Sequence, residues 1–320
     1  MNLAMCLLAY SMVVTVLGPP LLAAMTRDGA APRLGVTVWL AAMASVLAAW
    51  VGAAGLFVAQ LVDSWDHLGR VLTGCLAGLR LIAVGGYGSA LQAILLVLAA
   101  LSVAAVAVAG ARTALAVRGS RRSTNAHAQA ARLAAVTTPP GPEGALVLDS
   151  AQPAVYCLAG RPHTIVITRA ALEALDDAQL AAVLAHEQAH LRGRHHHPLA
   201  ITAALAKVLP GVRLFTDGAA DIARLLEMCA DDAAARRYGR DTLVDALLAL
   251  ALPRSSSPAA TPVAAMAAAG AGVAQRVQRL LFPPDATRAR VDLTLVLGAM
   301  LLGPTLSTGM TVIIPMLCAN

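Results

Sequence analysis

Apolar residues run almost unbroken in four places along the chain, roughly 3–25, 35–62, 89–111 and 291–317. A helix crosses a hydrocarbon core of roughly 30 Å in about 20 residues, so each run is long enough to span a bilayer. The first has no basic segment ahead of it and is too long for the apolar part of a signal peptide; it reads as a retained span, kinked at Pro19-Pro20. Between the third and fourth runs the pattern changes. A loop-like stretch at 136–144 leads into short β-like runs at 145–148, 154–158 and 164–168, which predict a small sheet whose edge strand offers backbone hydrogen bonds to an extended peptide. A helix is expected from Asp176, which has capping-box spacing to Gln179, as far as Gly193. Another is expected from 217 or 219 to Tyr238, stopped by Gly239. The apolar stretch 198–215 is broken by Lys207, Pro210 and Arg213, which predicts an interfacial or packing helix rather than a span. The serine, proline and alanine tract at about 253–270 reads as linker.

The expected fold class is a mainly α integral membrane protein with four transmembrane helices. Residues 1–117 hold three of them, 118–289 form an inserted α+β domain, and 290–320 hold the fourth. Composition agrees: 58% of the 320 residues are hydrophobic, 13% are charged, and the mean hydropathy is +0.70. Only 3% are aromatic, which suits helices in lipid better than a barrel with aromatic girdles.

Basic residues orient the spans, because positive charge is retained on the cytoplasmic side. Arg112, Arg118, Arg121 and Arg122 follow the third span, and Arg276, Arg279, Arg288 and Arg290 precede the fourth, so the inserted domain is expected in the cytoplasm of a multi-pass cell-membrane protein. Arg27 and Arg33 fall on the same side; the segment with Asp63, Asp66, Arg70 and Arg80 and both termini fall outside. The pI near 9.5 is read as retention against anionic lipid, not as direct nucleic-acid binding, since no basic stripe with interleaved aromatics occurs. Cys6, Cys75, Cys157, Cys229 and Cys318 are scattered and odd in number, and indicate neither a disulfide framework nor a thiolate metal site.

The chemistry concentrates in the second half of the insert. His186-Glu187-Gln188-Ala189-His190 is H-E-x-x-H. On a helix, residues four apart share a face, so both imidazoles converge on one ion while Glu187 reaches a water beside it. A catalytic zinc takes three protein ligands and keeps one position open. Glutamate is rare here, at Glu143, Glu173, Glu187 and Glu227 only, and Glu227 lies on the next good helix with Asp231 four residues later on the same face. That spacing supplies a third ligand and a carboxylate able to orient a ligating histidine.

H-E-x-x-H followed by E-x-x-x-D on a later helix resembles the gluzincin metallopeptidases. Three spans before the motif and one after it resemble the BlaR/MecR family of antibiotic-sensing membrane peptidases, and the segments 164–172 and 177–185 extend the likeness. The HtpX/Ste24-like membrane proteases share the zinc motifs but place two spans before them. The resemblance implies one Zn2+ per chain bound by His186, His190 and Glu227, with Glu187 as general base and then acid and Asp231 orienting His186. Arg236, Arg237 and Tyr238 are candidate oxyanion donors, set against the simpler reading that they cap a helix end or touch headgroups. His195, His196 and His197 follow the helix-ending glycine without a local carboxylate and read as solvated surface. His67, His127 and His163 are isolated and carry no assignment.

The sensor domain and S-x-x-K motif of the antibiotic-sensing members have no counterpart before Asn320, so direct β-lactam sensing is not expected. The favoured expectation is a membrane-bound zinc endopeptidase acting on a cytosolic or membrane-proximal protein, by analogy a BlaI-type transcriptional repressor. The alternatives are an HtpX-like quality-control protease and a non-catalytic signal transducer that keeps zinc only to hold its domain folded. Substrate, stimulus, oligomeric state and autocleavage have no readable signature.

Overall fold

The computed structural model describes residues 3–63, 87–135, 139–160, 162–251 and 263–318. Helices α1 (Leu3–Thr26) and α2 (Pro32–Asp63) form an antiparallel pair, and α3 (Tyr87–Ala134) follows. Pro19 and Pro20 both lie inside α1. Among the described residues, three helical stretches are long and apolar enough to cross a membrane: Leu3–Thr26, Pro32–Leu56 and Ala100–Ala134. The fourth expected span, 291–317, falls within the last helix, α10 (Ala286–Cys318). The expected external segment 64–86 lies outside the described residues.

The third span continues well past its expected end at 111, as one helix of 48 residues to Ala134. At 1.5 Å per residue that is about 70 Å, far more than a bilayer requires. The surplus enters the domain, where Ala128 and Ala131 pack on Leu158 and Val166 of the sheet.

The sheet forms where the alternating runs predict it, with β1 (Leu146–Leu148), β2 (Val155–Leu158) and β3 (Thr164–Thr168) in the order β1-β3-β2. β1 is parallel to β3 and β2 antiparallel, with Cys157 opposite Ile165, so β2 is an edge strand. A short α4 (Arg169–Ala174) precedes α5 (Asp177–Arg192). The latter starts as expected: the Asp176 carboxylate accepts from the Gln179 amide at 2.8 Å and Gln179 Oε1 accepts from the Asp176 amide at 3.1 Å. Gly193 closes its last turn.

The stretch 198–215 resolves into α6 (His196–Val208) and the start of α7 (Arg213–Tyr238), so α7 begins earlier than expected. Leu214 and Phe215 are the cause: both are fully buried with Trp39, Ile222 and Leu225, and this packing extends the helix back over them. Gly239, at φ 90, ends it. Helices α8 (Arg240–Ala251) and α9 (Val263–Leu281) follow. From Val263 onward the expected linker is helical; 252–262 lie outside the described residues.

One core joins α1, α2 and α10 to α6 and α7 through Leu22, Trp39, Val46, Leu205, Phe215 and Leu293. A second seats the sheet on α5 and α8 through Ile167, Leu180, Leu184 and Ala246. Helices α5 and α7 lie between these two cores, held on both flanks.

Candidate metal centre

Helices α5 and α7 pack against each other and present His186 and His190 from one, Glu227 and Asp231 from the other. His186 Nε2 and His190 Nε2 lie 3.1 Å apart. Glu227 completes a triangle, with Oε2 3.5 Å from His186 Nε2 and Oε1 3.4 Å from His190 Nε2. Ligands about 2.0–2.1 Å from a tetrahedral zinc stand about 3.3–3.4 Å from one another, so the triangle has the dimensions of a zinc site. Among the described residues, these three alone bring three metal-ligating atoms so close.

The charge inventory leads to the same ion. Glu187, Glu227 and Asp231 face one guanidinium, Arg276, which donates to both Asp231 oxygens (Nε to Oδ2 2.8 Å, Nη2 to Oδ1 2.6 Å) and pairs with Glu227 Oε2 at 3.2 Å. The three carboxylates outnumber that guanidinium, an excess of acid that suits a bound cation. Burial depresses the His186 pKa, but Asp231 and Glu227 outweigh burial and raise it to about 9, so the pocket favours positive charge at that position. Burial raises Glu227, but the His186 contact, then Arg276 and His190, bring it below its ordinary value. His190 is drawn down to about 4, first by burial and then by His186, and is therefore a neutral imidazole at neutral pH.

Each histidine has an orienting partner. Asp231 is fully buried, and its Oδ1 lies 3.1 Å from His186 Nδ1, a close pairing that falls outside hydrogen-bond alignment. Arg276 holds Asp231 well below the usual carboxylate range, at about 2, against the opposing effect of burial. His190 is oriented by His195, whose Nδ1 is 2.9 Å from His190 Nδ1.

The expectation that His195, His196 and His197 are solvated loop therefore needs correction. His195 is buried, while His196 and His197 are partly buried in the first turn of α6. The backbone produces this arrangement: Arg194 takes φ 50, turning the chain back so that the His195 amide reaches His190 O at 3.0 Å. A positive φ at a non-glycine residue leaves no sequence signal that spacing rules detect.

Arg276 is a second residue whose part in the site sequence reasoning missed. It was counted with Arg279 among the arginines flanking the fourth span, yet both are engaged inside the domain, Arg279 with Asp232 at 2.8 and 3.0 Å. Only folding brings α9 over α7, so no local motif marks them. Arg237 lies over the Tyr238 ring, 5.3 Å from its centre, and lines a cavity of about 570 Å³ with Arg33, Arg192 and His195.

Glu187 is buried, and burial raises its pKa despite the nearby His186. The thiol and backbone amide of Cys157 face its carboxylate, so the edge strand β2 runs beside the site. The Cys157 thiol is pushed up to about 12, first by burial and then by Glu187, which keeps it protonated and inert. Cys229 is likewise raised to about 11, chiefly by burial.

The profile of peptidase family M48 matches residues 120–282, just over half of the chain. A "Protease HtpX homolog" from Acidiphilium cryptum (strain JF-5) is 40% identical over 81 residues, covering 25% of this chain and 28% of that protein. The chain thus matches less than a third of the relative's length. No solved structure matches.

Proposed function

Because the chain belongs to peptidase family M48, a metallopeptidase family, we propose that it is a membrane-bound zinc endopeptidase cleaving a cytosolic or membrane-proximal protein. The observation that carries this reading is the triangle of His186, His190 and Glu227 with the buried Glu187 beside it. His186, His190 and Glu227 hold the ion, while Asp231 and His195 fix the two imidazoles. The bound zinc supplies Lewis-acid polarisation of a peptide carbonyl and a more acidic water. Glu187 takes the proton from the attacking water and delivers it to the departing amine, leaving a new carboxylate and a new amino terminus. Its raised pKa suits a group that must both accept and release a proton near neutrality. Arg276 is a positioning residue: it fixes Asp231 and Glu227 by ion pairs.

Zinc analysis tests the site. About one equivalent is expected in the detergent-purified protein and much less in Glu227→Ala; a folded wild type without metal overturns the reading. Glu187→Gln should keep zinc and lose peptidase activity. If that variant retains full cellular function, the non-catalytic transducer replaces the enzyme.

For the substrate, the span order favours a regulatory enzyme of the BlaR/MecR kind acting on a repressor, whereas the HtpX-related segment favours quality control. A single defined cut in one soluble protein supports the first. Degradation of many loosely folded membrane proteins supports the second.

A further inference from the structure

Outside the metal centre, positive charge gathers around a cavity of about 630 Å³ between the domain end of α3, the β2–β3 turn and the first turn of α6. Its lining includes Arg121, Arg132, Arg194, His163, His196 and His197, with no Asp or Glu. Arg132 is already committed, donating to Pro162 O at 2.5 Å and Thr164 Oγ1 at 3.0 Å, and so braces the turn that forms one wall. Arg121 and Arg194 are exposed at the rim and have no ion-pair partner among the described residues. The His196 ring centre is 6.1 Å from that of His163 and 4.1 Å from that of His197, yet the three do not assemble a metal-ligating triangle. The start of α6 adds the positive end of a helix to the same wall. Such a lining suits an anion.

Its position suggests which one. Ala159, in the lining, directly follows β2, and Cys157, two residues earlier, faces Glu187. Two strand residues span about 7 Å. A peptide added to the edge of β2 in the antiparallel sense, the more stable pairing per residue, places the residues before its scissile bond over the Ala159 end. We propose that this cavity is a substrate subsite that takes the carboxylate side chain of an Asp or Glu lying two to four residues before the cleaved bond, with Arg121 and Arg194 as its counter-charge. This rests on the peptidase reading above and names a property of the substrate. A lipid headgroup fits less well, because Arg121 lies ten residues past the expected end of the third span, about 15 Å along the helix axis.

Cleavage-site profiling tests it, using the full-length zinc-loaded protein in detergent and a peptide mixture prepared by digesting a whole proteome. Asp and Glu should be enriched two to four residues before the cut. Arg121→Gln/Arg194→Gln should erase that enrichment and lower kcat/KM on a matched acidic peptide about tenfold, mainly through KM. The amide counterpart of that peptide should be cut equally well by both proteins. No enrichment, enrichment that survives the double change, or equal loss on the neutral peptide overturns the proposal. So does an acidic preference abolished by phosphatidylglycerol vesicles and spared by phosphatidylcholine vesicles, which assigns the cavity to lipid. A wild type that cuts no more than Glu187→Gln removes the peptidase reading itself, and this inference with it.

Discussion

Two side chains that touch no expected substrate atom stand behind the candidate metal ligands: Asp231 behind His186 and His195 behind His190. Partners of this kind fix ring orientation and tautomer, and losing one costs about 10–100-fold in metal affinity. His195→Ala is therefore expected to weaken zinc binding by that order, with Asn at the position restoring part of it; competition against a chelator measures both. A His195→Ala protein with wild-type affinity would make the 2.9 Å contact incidental. Cys157 gives a second test at this scale. A thiol moved from about 9 to about 12 carries about a thousandfold less thiolate at pH 8. Alkylation at Cys157 should be correspondingly slow at pH 8 and rise with pH throughout the accessible alkaline range. Glu187→Gln should speed it by removing the second cause of the shift. Site-resolved mass spectrometry after timed iodoacetamide treatment reads both rates.

Among the helices, α7 bears most of the organisation. Its first half belongs to the core shared with α1 and α2, and its second half carries Glu227 and Asp231. Where α7 meets α2 the backbones come close at Gly218: a Cβ there would sit 2.3 Å from Met43 Cε and 2.8 Å from the Trp39 ring. Methionine can yield, but a fully buried indole cannot. Gly218→Val should destabilise the protein by about 1–3 kcal/mol and lower its Tm in detergent, while Gly211→Val, at an open position, should not. Farther along the helix, Arg224 donates to Thr26 O and Arg27 O, both at 3.0 Å, and tethers the ligand-bearing element to the α1–α2 turn. The start, capping box and end of α5 were legible because they are local in sequence. The start of α7 was not, because the packing of Leu214 and Phe215 on Trp39 overrides the weak local preference that Pro210 and Arg213 suggested.

For the molecule as a whole, the apolar helices and the peptidase domain form one connected body: α1, α2 and α10 share a core with α7, and α3 runs on into the sheet. The side of the membrane that carries the domain is a separate matter, resting on positive charge near the spans. Arg276 and Arg279 are paired inside the domain, so that argument now depends on Arg112, Arg118, Arg121, Arg122, Arg288 and Arg290. A cysteine at the exposed Asp149, in a background free of other cysteines, should react with a membrane-impermeant maleimide only after the cells are opened. Labelling in intact cells would put the domain outside and exclude a cytosolic substrate.

The sequence by itself determined the apolar runs, the strand positions, the helix that carries H-E-x-x-H and the spacing that puts His186 and His190 on one helix and Glu227 and Asp231 on another. Each depends on hydrophobic period, cap chemistry or helical spacing, which act over a few residues and leave their mark in the chain. Only the tertiary structure decided that Arg276 neutralises Asp231, that His195 returns to His190, that Cys157 faces Glu187, and that Arg121, His163 and Arg194 share a cavity free of acids. These contacts join residues that are distant in sequence or linked by an unusual backbone turn. Their physical basis is the burial of charge among partners, and burial exists only once the helices have packed.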